Sequence, residues 1–284
     1  MKKYLFLLLA TTIACSQDSN EMVSFTQAQS LGFPLNSGQS NINSNQCMTK
    51  DAALAKYNLD ANAMNGYGNN QLVPRSSWVN GVAVIPTITS GTGRIWMDRN
   101  LGASRVATSQ NDFLAYGDLY QWGRANDGHQ LINWSSSTSG TPANGTTTTL
   151  ASTNTPGNSL YIINNSSPYD WRSPANANLW QGVNGTNNPC PSGFRLPTAT
   201  EISNEFTYYS INNASSAYAS IHKFVTPGAR INASLNSVGT YGYYWTSSVQ
   251  GGTGAFIKNF NSSAASTDSY GQRYLGFSCR CIKD

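Results

Sequence analysis

Short stretches of regular apolar spacing separate long polar segments along this chain. Residues 94–99 alternate as a half-buried strand does, and they follow a turn of sequence SGTG at residues 90–93. Residues 111–124 (NDFLAYGDLYQWGR) repeat apolar side chains at helical spacing, which predicts one amphipathic helix. Residues 125–189 lack such spacing but carry three tryptophans, so we expect a long loop region that is packed in part.

The densest local pattern is NNPCPSGFRLPTATE at residues 187–201. Two prolines fix the backbone around Cys190, and the alternation that follows predicts a short buried strand. Thr198 and Glu201 stand at the spacing of a capping box, which predicts a helix of about three turns directly after Pro197. The last 60 residues predict consecutive antiparallel strands joined by glycine turns: HKFVTPGARI (222–231), YGYYWTSSVQ (241–250), AFIKNFN (255–261) and GFSCRCIKD (276–284).

The first residues have the pattern of an export signal. A pair of lysines precedes the apolar run from Tyr4 to Ile13, which is too short to span a bilayer. The sequence Thr12-Ile13-Ala14-Cys15 resembles the lipobox of bacterial lipoproteins, with Thr12 where leucine is usual. The resemblance implies cleavage before Cys15, lipidation of its thiol, and anchoring in the outer membrane at the cell surface. The predicted organisation is a signal peptide (1–14), a polar tether (15–48), an N-terminal extension with a short helix (49–79) and one folded domain (80–284).

Charge and composition narrow the range of partners. Removing residues 1–14 removes two lysines and no acid, which lowers the formal net charge from +4 to +2. Charged residues make up only 11% of the chain, and no cluster of Lys and Arg follows residue 3, so we expect no binding to nucleic acid. Amides, hydroxyls and aromatic rings take the place of charges. Such a surface suits a neutral polar ligand such as a glycan, and it equally suits an inert exported surface.

Four cysteines remain once Cys15 is assigned to lipidation. An even number of cysteines in an exported chain indicates disulfides, and four of them allow three pairings. Cys279 and Cys281 are two apart on a predicted strand, face the same side and are poorly placed to bond each other. We favour Cys190–Cys281, which closes a loop of about 90 residues, and this leaves Cys47–Cys279. The spacing of these cysteines gives only weak support for a metal site.

Five ordered blocks of the chain resemble the Fibrobacter succinogenes major paralogous domain family, over roughly residues 80 to 284. They are GRIWMDRNLGA (93–103), YGDLYQWGR (116–124), CPSGFRLPTATEI (190–202), YWTSS (244–248) and GFSCRCIKD (276–284). The resemblance implies an α+β, C-type-lectin-like fold with two helices, a small antiparallel sheet and long irregular loops. The chain departs from the family pattern at Ile202, where tryptophan is common, and at Cys279, where valine is usual.

Motifs for catalysis are weak. Glu201 and Glu205 share a helix face, but Glu201 is explained by the capping box, and we expect Glu205 to be solvent-exposed. Neither His129 nor His222 accompanies a nucleophile-elbow pattern. The calcium-binding motifs of sugar-binding lectins are missing, so no cofactor is expected and calcium has no motif to support it. We therefore expect no enzymatic activity.

The remaining signal is aromatic and lies near the C-terminus. The segment FNSSAASTDSYGQRY (260–274) is polar and adaptable, like a paratope, and it is similar in composition to variable binding surfaces of some C-type-lectin-like proteins. We expect a surface-displayed module, attached to the membrane by its lipid, that recognises a glycan or a cell-surface protein. A structural envelope lipoprotein without a specific ligand and a polysaccharide-acting hydrolase stay open as alternatives. The candidate ligand contacts are Tyr243, Trp245, Ser247, Asn259, Asn261, Asp268, Tyr270 and Arg273.

Overall fold

The computed structural model describes residues 87–191, 193–266 and 269–284, together with four short strands between residues 47 and 83. The predicted signal peptide, Cys15, the tether and most of the N-terminal extension lie outside the described residues. The described part is built mainly of small antiparallel sheets with two α-helices, which confirms the predicted α+β class. None of the helices in this part is long and apolar enough to cross a lipid bilayer.

Most of the strands are short. In chain order they are β1 (Cys47–Thr49), β2 (Leu72–Pro74), β3 (Trp78–Val79), β4 (Val82–Ala83), β5 (Thr87–Thr89), β6 (Ile95–Met97), β7 (Tyr120–Gln121), β8 (Ile132–Ser136), β9 (Ser139–Pro142), β10 (Thr146–Thr147), β11 (Tyr161–Ile162), β12 (Phe194–Arg195), β13 (Ala229–Ile231), β14 (Ser234–Asn236), β15 (Gly242–Gln250), β16 (Gly254–Phe260), β17 (Ser269–Gln272), β18 (Gly276–Phe277) and β19 (Ile282–Lys283). The helices are α1 (Ala199–Tyr208) and α2 (Ala214–Ala219).

The three largest sheets in the described residues have three or four strands each. Their strand orders are β12-β19-β6-β5, β14-β13-β18-β7 and β15-β16-β17, and the strand pairs within them are antiparallel. Strands from the end of the chain occupy inner positions in the first two sheets, because β19 lies between β12 and β6 and β18 lies between β13 and β7. The predicted hairpin between β15 and β16 is present, with its turn at Gly251 and Gly252.

A disulfide joins Cys190 to Cys281, as predicted, with the two Cα atoms 5.9 Å apart. The disulfide attaches the proline turn that precedes β12 to the C-terminal segment. It thereby closes a covalent loop whose ends are 91 residues apart in sequence. Restricting a loop of this length in the unfolded chain stabilises the fold by about 4 kcal/mol in the chain-entropy model.

The second predicted disulfide, Cys47–Cys279, is wrong for this structure, because Cys279 is a free thiol. The Cys279 side chain is fully buried in the same apolar cluster as the disulfide, and burial raises the pKa of the thiol well above its usual value. The Cys47 side chain lies outside the described residues. Cys279 therefore fills the core as a small apolar residue, the commonest role of a buried cysteine.

Helix α1 begins as the sequence predicts. The Thr198 side chain accepts from the Glu201 backbone amide, and the Glu201 carboxylate accepts from the Thr198 backbone amide. Ile202 and Phe206 are buried beneath the helix. Helix α2, which was not predicted, begins with a similar reciprocal pair between Asn213 and Ser216.

The predicted helix over residues 111–124 is wrong. The chain there forms a single 3₁₀ turn, Phe113–Ala115, and then the short strand β7. Gly117 has φ +70°, which is outside the right-handed helical region and interrupts a helix at this residue. A Cβ at this position would lie 2.3 Å from the Leu101 carbonyl oxygen, so only glycine fits. The helical spacing of the apolar residues was misleading because residues 115–124 are all buried. The apolar positions therefore do not define one buried face of a helix.

The tryptophans of the loop region pack as expected. Trp171 and Trp180 are at most 1% exposed. The Nε1 atom of Trp171 donates to the Trp122 carbonyl at 2.7 Å, and that of Trp180 donates to the Asn187 carbonyl at 2.8 Å. Each indole therefore satisfies its one donor inside the core.

Candidate functional site

The sheet β15-β16-β17 carries most of the predicted ligand contacts, but it does not bring them to one surface. Tyr243 pairs with Asn259, so both side chains lie on one face of the sheet. The next pair, Tyr244 and Lys258, lies on the opposite face. Tyr270 pairs with Phe256, two residues from Lys258, and therefore shares the face of Lys258. The predicted set is split between two faces.

Three of the predicted contacts are structural instead. Trp245, Ser247 and Arg273 are at most 3% exposed and cannot meet a ligand at the surface. Trp245 donates to the Tyr120 carbonyl at 2.7 Å, and Ser247 donates through its backbone amide to the Pro197 carbonyl at 2.8 Å.

Arg273 lies 4.6 Å above the ring of Trp122 and forms an ion pair with buried Asp170 at 3.4 Å. The alternation of the sequence does not distinguish this inward-facing guanidinium from a surface one. Of the other predicted contacts, Asn261 uses its side chain to cap a local turn by accepting from the backbone amides of Ser263 and Ala264, and Asp268 lies outside the described residues.

Tyr270 is an exposed aromatic residue on this sheet, with 61% of its surface open to solvent. Its ring lies across Gly254 of the neighbouring strand. A Cβ at Gly254 would lie 3.2 Å from Cδ2 of the ring, so glycine leaves room for the ring to rest against the strand. The Cδ2 atom of the ring therefore lies close to Gly254, while most of the residue stays in contact with water.

Two glutamines flank this ring. Gly254 pairs with Gln250 on one side and with Gln272 on the other, so the three residues form a row across the sheet on the same face as Tyr270. Both glutamines are half-exposed. Within the described residues, neither carboxamide forms a hydrogen bond, which leaves their donors and acceptors to solvent or to a ligand.

A cleft continues this surface toward α1. It is small, with a volume of about 10 Å³, enough for about one water molecule, and its walls come from the helix and the sheet. Ser203, Ser269 and Phe256 lie along it, and Phe256 is the cross-strand partner of Tyr270. The hydroxyl of Thr246, which also lines the cleft, already donates to the Phe256 carbonyl at 2.8 Å. We call Tyr270, Gln250, Gln272, Phe256 and Ser203 the Tyr270 surface.

The cation in the cleft wall is already engaged. The Nζ atom of Lys258 donates to the Ser266 carbonyl at 3.1 Å and lies 5.5 Å from the centre of the Phe206 ring. The side chain is 5% exposed. Lys258 therefore anchors the loop after β16, and the described side chains around Tyr270 are uncharged.

Glu205 is the largest departure from the predicted exposure, because it is fully buried. The Ser90 hydroxyl donates to Oε1 at 2.8 Å, Trp96 donates to the same oxygen at 3.2 Å, and His222 Nε2 lies 2.9 Å from Oε2. Burial alone would raise the pKa of Glu205, but the hydrogen bonds from His222, Thr92 and Ser90 outweigh it and hold the pKa below its usual value.

The hydrogen bonds of this cluster attach the turn before β6 to α1. The serine hydroxyl and the imidazole bind the same carboxylate, so the order hydroxyl, imidazole, acid that activates a nucleophile is not assembled. Burial also lowers the pKa of His222, which favours the neutral ring.

The second histidine is also a core residue. The Nδ1 atom of His129 lies 2.7 Å from the Asp127 carboxylate, and its Nε2 accepts from the backbone amide of Gln121 at 3.0 Å. Burial, together with the nearby Arg124, lowers the pKa of His129 to about 4. Both ring nitrogens are used inside the fold.

Sequence reasoning missed Gln250 and Gln272. Alternation places Gln272 beside Tyr270, but only the pairing register of three strands shows that Gln250 reaches the same spot. No group of three or more His, Cys, Asp or Glu side chains suited to a metal ion occurs in the part of the chain that the structure describes.

Comparison with known proteins gives no identification: no protein-family model, curated protein or solved structure matches the chain. The chemistry of the Tyr270 surface is therefore the basis for a functional proposal.

Proposed function

We propose that the chain is a non-catalytic binding module that recognises a neutral glycan at the Tyr270 surface. The observation that carries the proposal is a 61% exposed tyrosine ring flanked by two glutamines whose carboxamides form no hydrogen bond within the described residues. The C–H face of a sugar ring packs on an aromatic ring, while neighbouring amides donate to and accept from its hydroxyls.

The described side chains that flank the Tyr270 ring are uncharged, which supports a neutral ligand. A sulfated or carboxylated glycan would call for exposed cations beside the ring, whereas the groups that flank it are amides and hydroxyls. An apolar protein segment would leave both carboxamides without partners on binding, which costs about 1–3 kcal/mol for each buried polar group. A hydroxyl-rich ligand avoids that cost.

We also propose the finer architecture and location that the sequence suggests: a C-type-lectin-like domain carried on a lipid-anchored surface protein. The blocks that resemble the Fibrobacter succinogenes major paralogous domain are far apart in sequence, and several of them meet in the fold. Strands β12, β19 and β6 come from three of these blocks and lie side by side in one sheet. Strand β7, from a fourth block, pairs with β18 of the terminal block. This convergence supports the resemblance.

The proposal can be tested by probing an array of neutral and acidic glycans with the purified full-length chain. We expect saturable binding to neutral glycans, and a loss of at least tenfold in affinity for Tyr270→Ala, because one aromatic stacking contact is removed. Gln250→Ala and Gln272→Ala should each weaken binding about 2- to 10-fold, corresponding to the loss of one hydrogen bond.

Tyr208 offers a matched control. It is 59% exposed, close to the value for Tyr270, but it lies at the end of α1, outside the β15–β17 sheet. Tyr208→Ala should bind as the unaltered protein does. Equal losses for Tyr208→Ala and Tyr270→Ala, or no binding to any glycan on the array, would contradict the proposal.

A further inference from the structure

The side-chain amide of Gln250 lies close to the exposed ring of Tyr270. A Cβ at Gly254 would be 3.3 Å from Oε1 of Gln250 and 3.2 Å from Cδ2 of the ring, so the two atoms converge on one point beside Gly254. The Tyr270 residue is 61% exposed. The carboxamide atoms of Gln250 and Gln272 are not among the described polar atoms that are closed to solvent without a hydrogen-bond partner. The ring and both carboxamides can therefore be reached by a ligand from solvent.

Gln272 stands on the opposite side of Gly254 from Gln250. Gly254 pairs with Gln250 on β15 and with Gln272 on β17, so the three residues form a line across the sheet. Neighbouring strands are about 4.8 Å apart, which puts the Cα atoms of the two glutamines about 10 Å apart. The Tyr270 ring reaches the middle of this line, at Gly254. The ring therefore has one glutamine on each side.

The hydroxyl groups of a sugar ring point in two kinds of direction. Equatorial hydroxyls point outward from the edges of the ring, whereas axial hydroxyls point above or below its mean plane. When a sugar stacks on an aromatic ring, its equatorial hydroxyls are therefore the ones that point toward carboxamides at its two sides. A pyranose with an equatorial hydroxyl at each of two opposite edges, and one hydrogen bond of about 2.8 Å at each end, spans about the distance between the two glutamines.

We propose that Gln250 and Gln272 hold opposite edges of a single sugar ring that stacks on Tyr270, and that this pairing selects a pyranose with equatorial hydroxyls at both edges. The inference rests on the proposed function, to which it adds the stereochemistry of the ligand and the residues that select it. A sugar whose hydroxyl at one edge is missing or axial leaves one carboxamide without that partner. Its affinity should fall about 2- to 10-fold, which is the effect of one hydrogen bond.

Double-mutant cycles between protein and sugar test this pairing. The reference ligand is methyl β-D-glucopyranoside, whose ring substituents are all equatorial, and each of its monodeoxy analogues lacks one hydroxyl. Ligand-observed NMR titration of the full-length chain measures the affinities. We expect the loss in Gln250→Ala to disappear for one monodeoxy sugar and the loss in Gln272→Ala to disappear for a different one. The axial epimer at each of these two positions should bind as weakly as the deoxy sugar.

Gln110 provides a matched control. It is half-exposed, as Gln250 and Gln272 are, but it lies in the segment between β6 and β7, outside the β15–β17 sheet. Gln110→Ala should bind every sugar of the series as the unaltered protein does. All three alanine variants should keep the unfolding temperature of the unaltered protein, because each changes a side chain at the surface.

The outcomes separate this inference from the proposed function. If both glutamines couple to the same hydroxyl, or neither couples to any, while Tyr270→Ala still weakens glycan binding, the inference is overturned and the proposed function stands. The same conclusion follows if the chain binds neutral glycans on the array but not methyl β-D-glucopyranoside, or if Gln110→Ala loses as much affinity as the other two variants. Absence of binding to every glycan overturns both.

Discussion

Trp245 and Tyr270 belong to one three-stranded sheet, and both are large aromatic residues in polar sequence surroundings, yet they differ completely in exposure. Trp245 is fully buried and donates its indole N–H to the Tyr120 carbonyl at 2.7 Å. Tyr270 is 61% exposed, and within the described residues its hydroxyl makes no hydrogen bond. The difference comes from what packs against each ring: Phe277 and other core residues cover Trp245, whereas Tyr270 lies beside a row of glycine and glutamine at the edge of the core.

Neighbouring polar residues repeat the contrast. Arg273 and Gln272 are adjacent in sequence, but Arg273 is 1% exposed over the Trp122 ring and Gln272 is half-exposed beside Tyr270. Arg273 is paired with buried Asp170 inside the core. A side chain at the Tyr270 surface keeps its hydrogen-bonding groups open to solvent, which is why the proposed ligand site is placed there.

The largest stability effect should come from the buried member of the pair. Trp245→Ala removes a fully buried indole and its hydrogen bond, so we expect a loss of about 3–5 kcal/mol in the free energy of unfolding. Denaturant unfolding followed by circular dichroism measures it. A loss below about 1 kcal/mol would show that Trp245 is not the core residue described.

The disulfide gives the next largest effect. Cys281→Ser should lower the free energy of unfolding by about 2–5 kcal/mol, because it releases the constraint on the loop of 91 residues. Cys279→Ala is the matched control two residues away, with an expected loss of about 1 kcal/mol for one small buried group. Peptide mapping without reductant should find Cys190 linked to Cys281, with Cys279 alkylated only after unfolding. A Cys47–Cys279 link in that map would contradict the structure.

An intermediate effect should appear in the pH dependence of stability. Burial raises the pKa of Asp170 to about 6, although Arg273 opposes the shift. A raised pKa means that the folded state holds this proton more tightly than the unfolded state, whose pKa is near 3.8. The stabilisation that protonated Asp170 gives the folded state is therefore fully present below about pH 4 and is lost as the pH rises through 6.

Asp170→Asn isolates this contribution, since it removes the titration and keeps the shape. Between pH 4 and pH 7 the unaltered protein should lose about 1–3 kcal/mol of stability relative to the variant. Other groups, such as His129, titrate equally in both proteins and cancel in the difference. A difference that is constant over this range would show that Asp170 is already ionised at pH 4 in the folded protein.

The smallest stability effect belongs to the exposed residue. Tyr270→Ala should change the free energy of unfolding by no more than about 0.5 kcal/mol, because the ring is mostly in water and makes no hydrogen bond in the described structure. Denaturant unfolding alongside Trp245→Ala gives the direct comparison. A loss of 2 kcal/mol or more would show that Tyr270 is a packing residue.

Sequence reasoning succeeds where the determinants are local. The capping box at Thr198 and Glu201 gives the start of α1, and the proline turn at Cys190 gives one half of the disulfide. It fails at residues 111–124, because burial on all sides imitates one face of a helix. It also fails at Cys279, because the number of cysteines suggests a partner but does not show whether the thiol lies within reach of one.

The site could be predicted only in part, because its position depends on strand register. Alternation separates Tyr243 from Tyr244, but it does not show which outward side chains of three strands lie in one row. Gln250 lies near Tyr270 because their strands, β15 and β17, both pair with β16. Burial of Trp245 and Arg273 likewise depends on what packs over the sheet, which a single sequence does not reveal.

Nitration of tyrosines by tetranitromethane, followed by peptide mass spectrometry, tests the central claim most directly. Tyr270 and Tyr208 are similarly exposed, so both should react in the protein alone. A saturating concentration of a bound neutral oligosaccharide should protect Tyr270 and leave Tyr208 reactive. Equal nitration of Tyr270 with and without the bound sugar would contradict the assignment of this surface as the binding site.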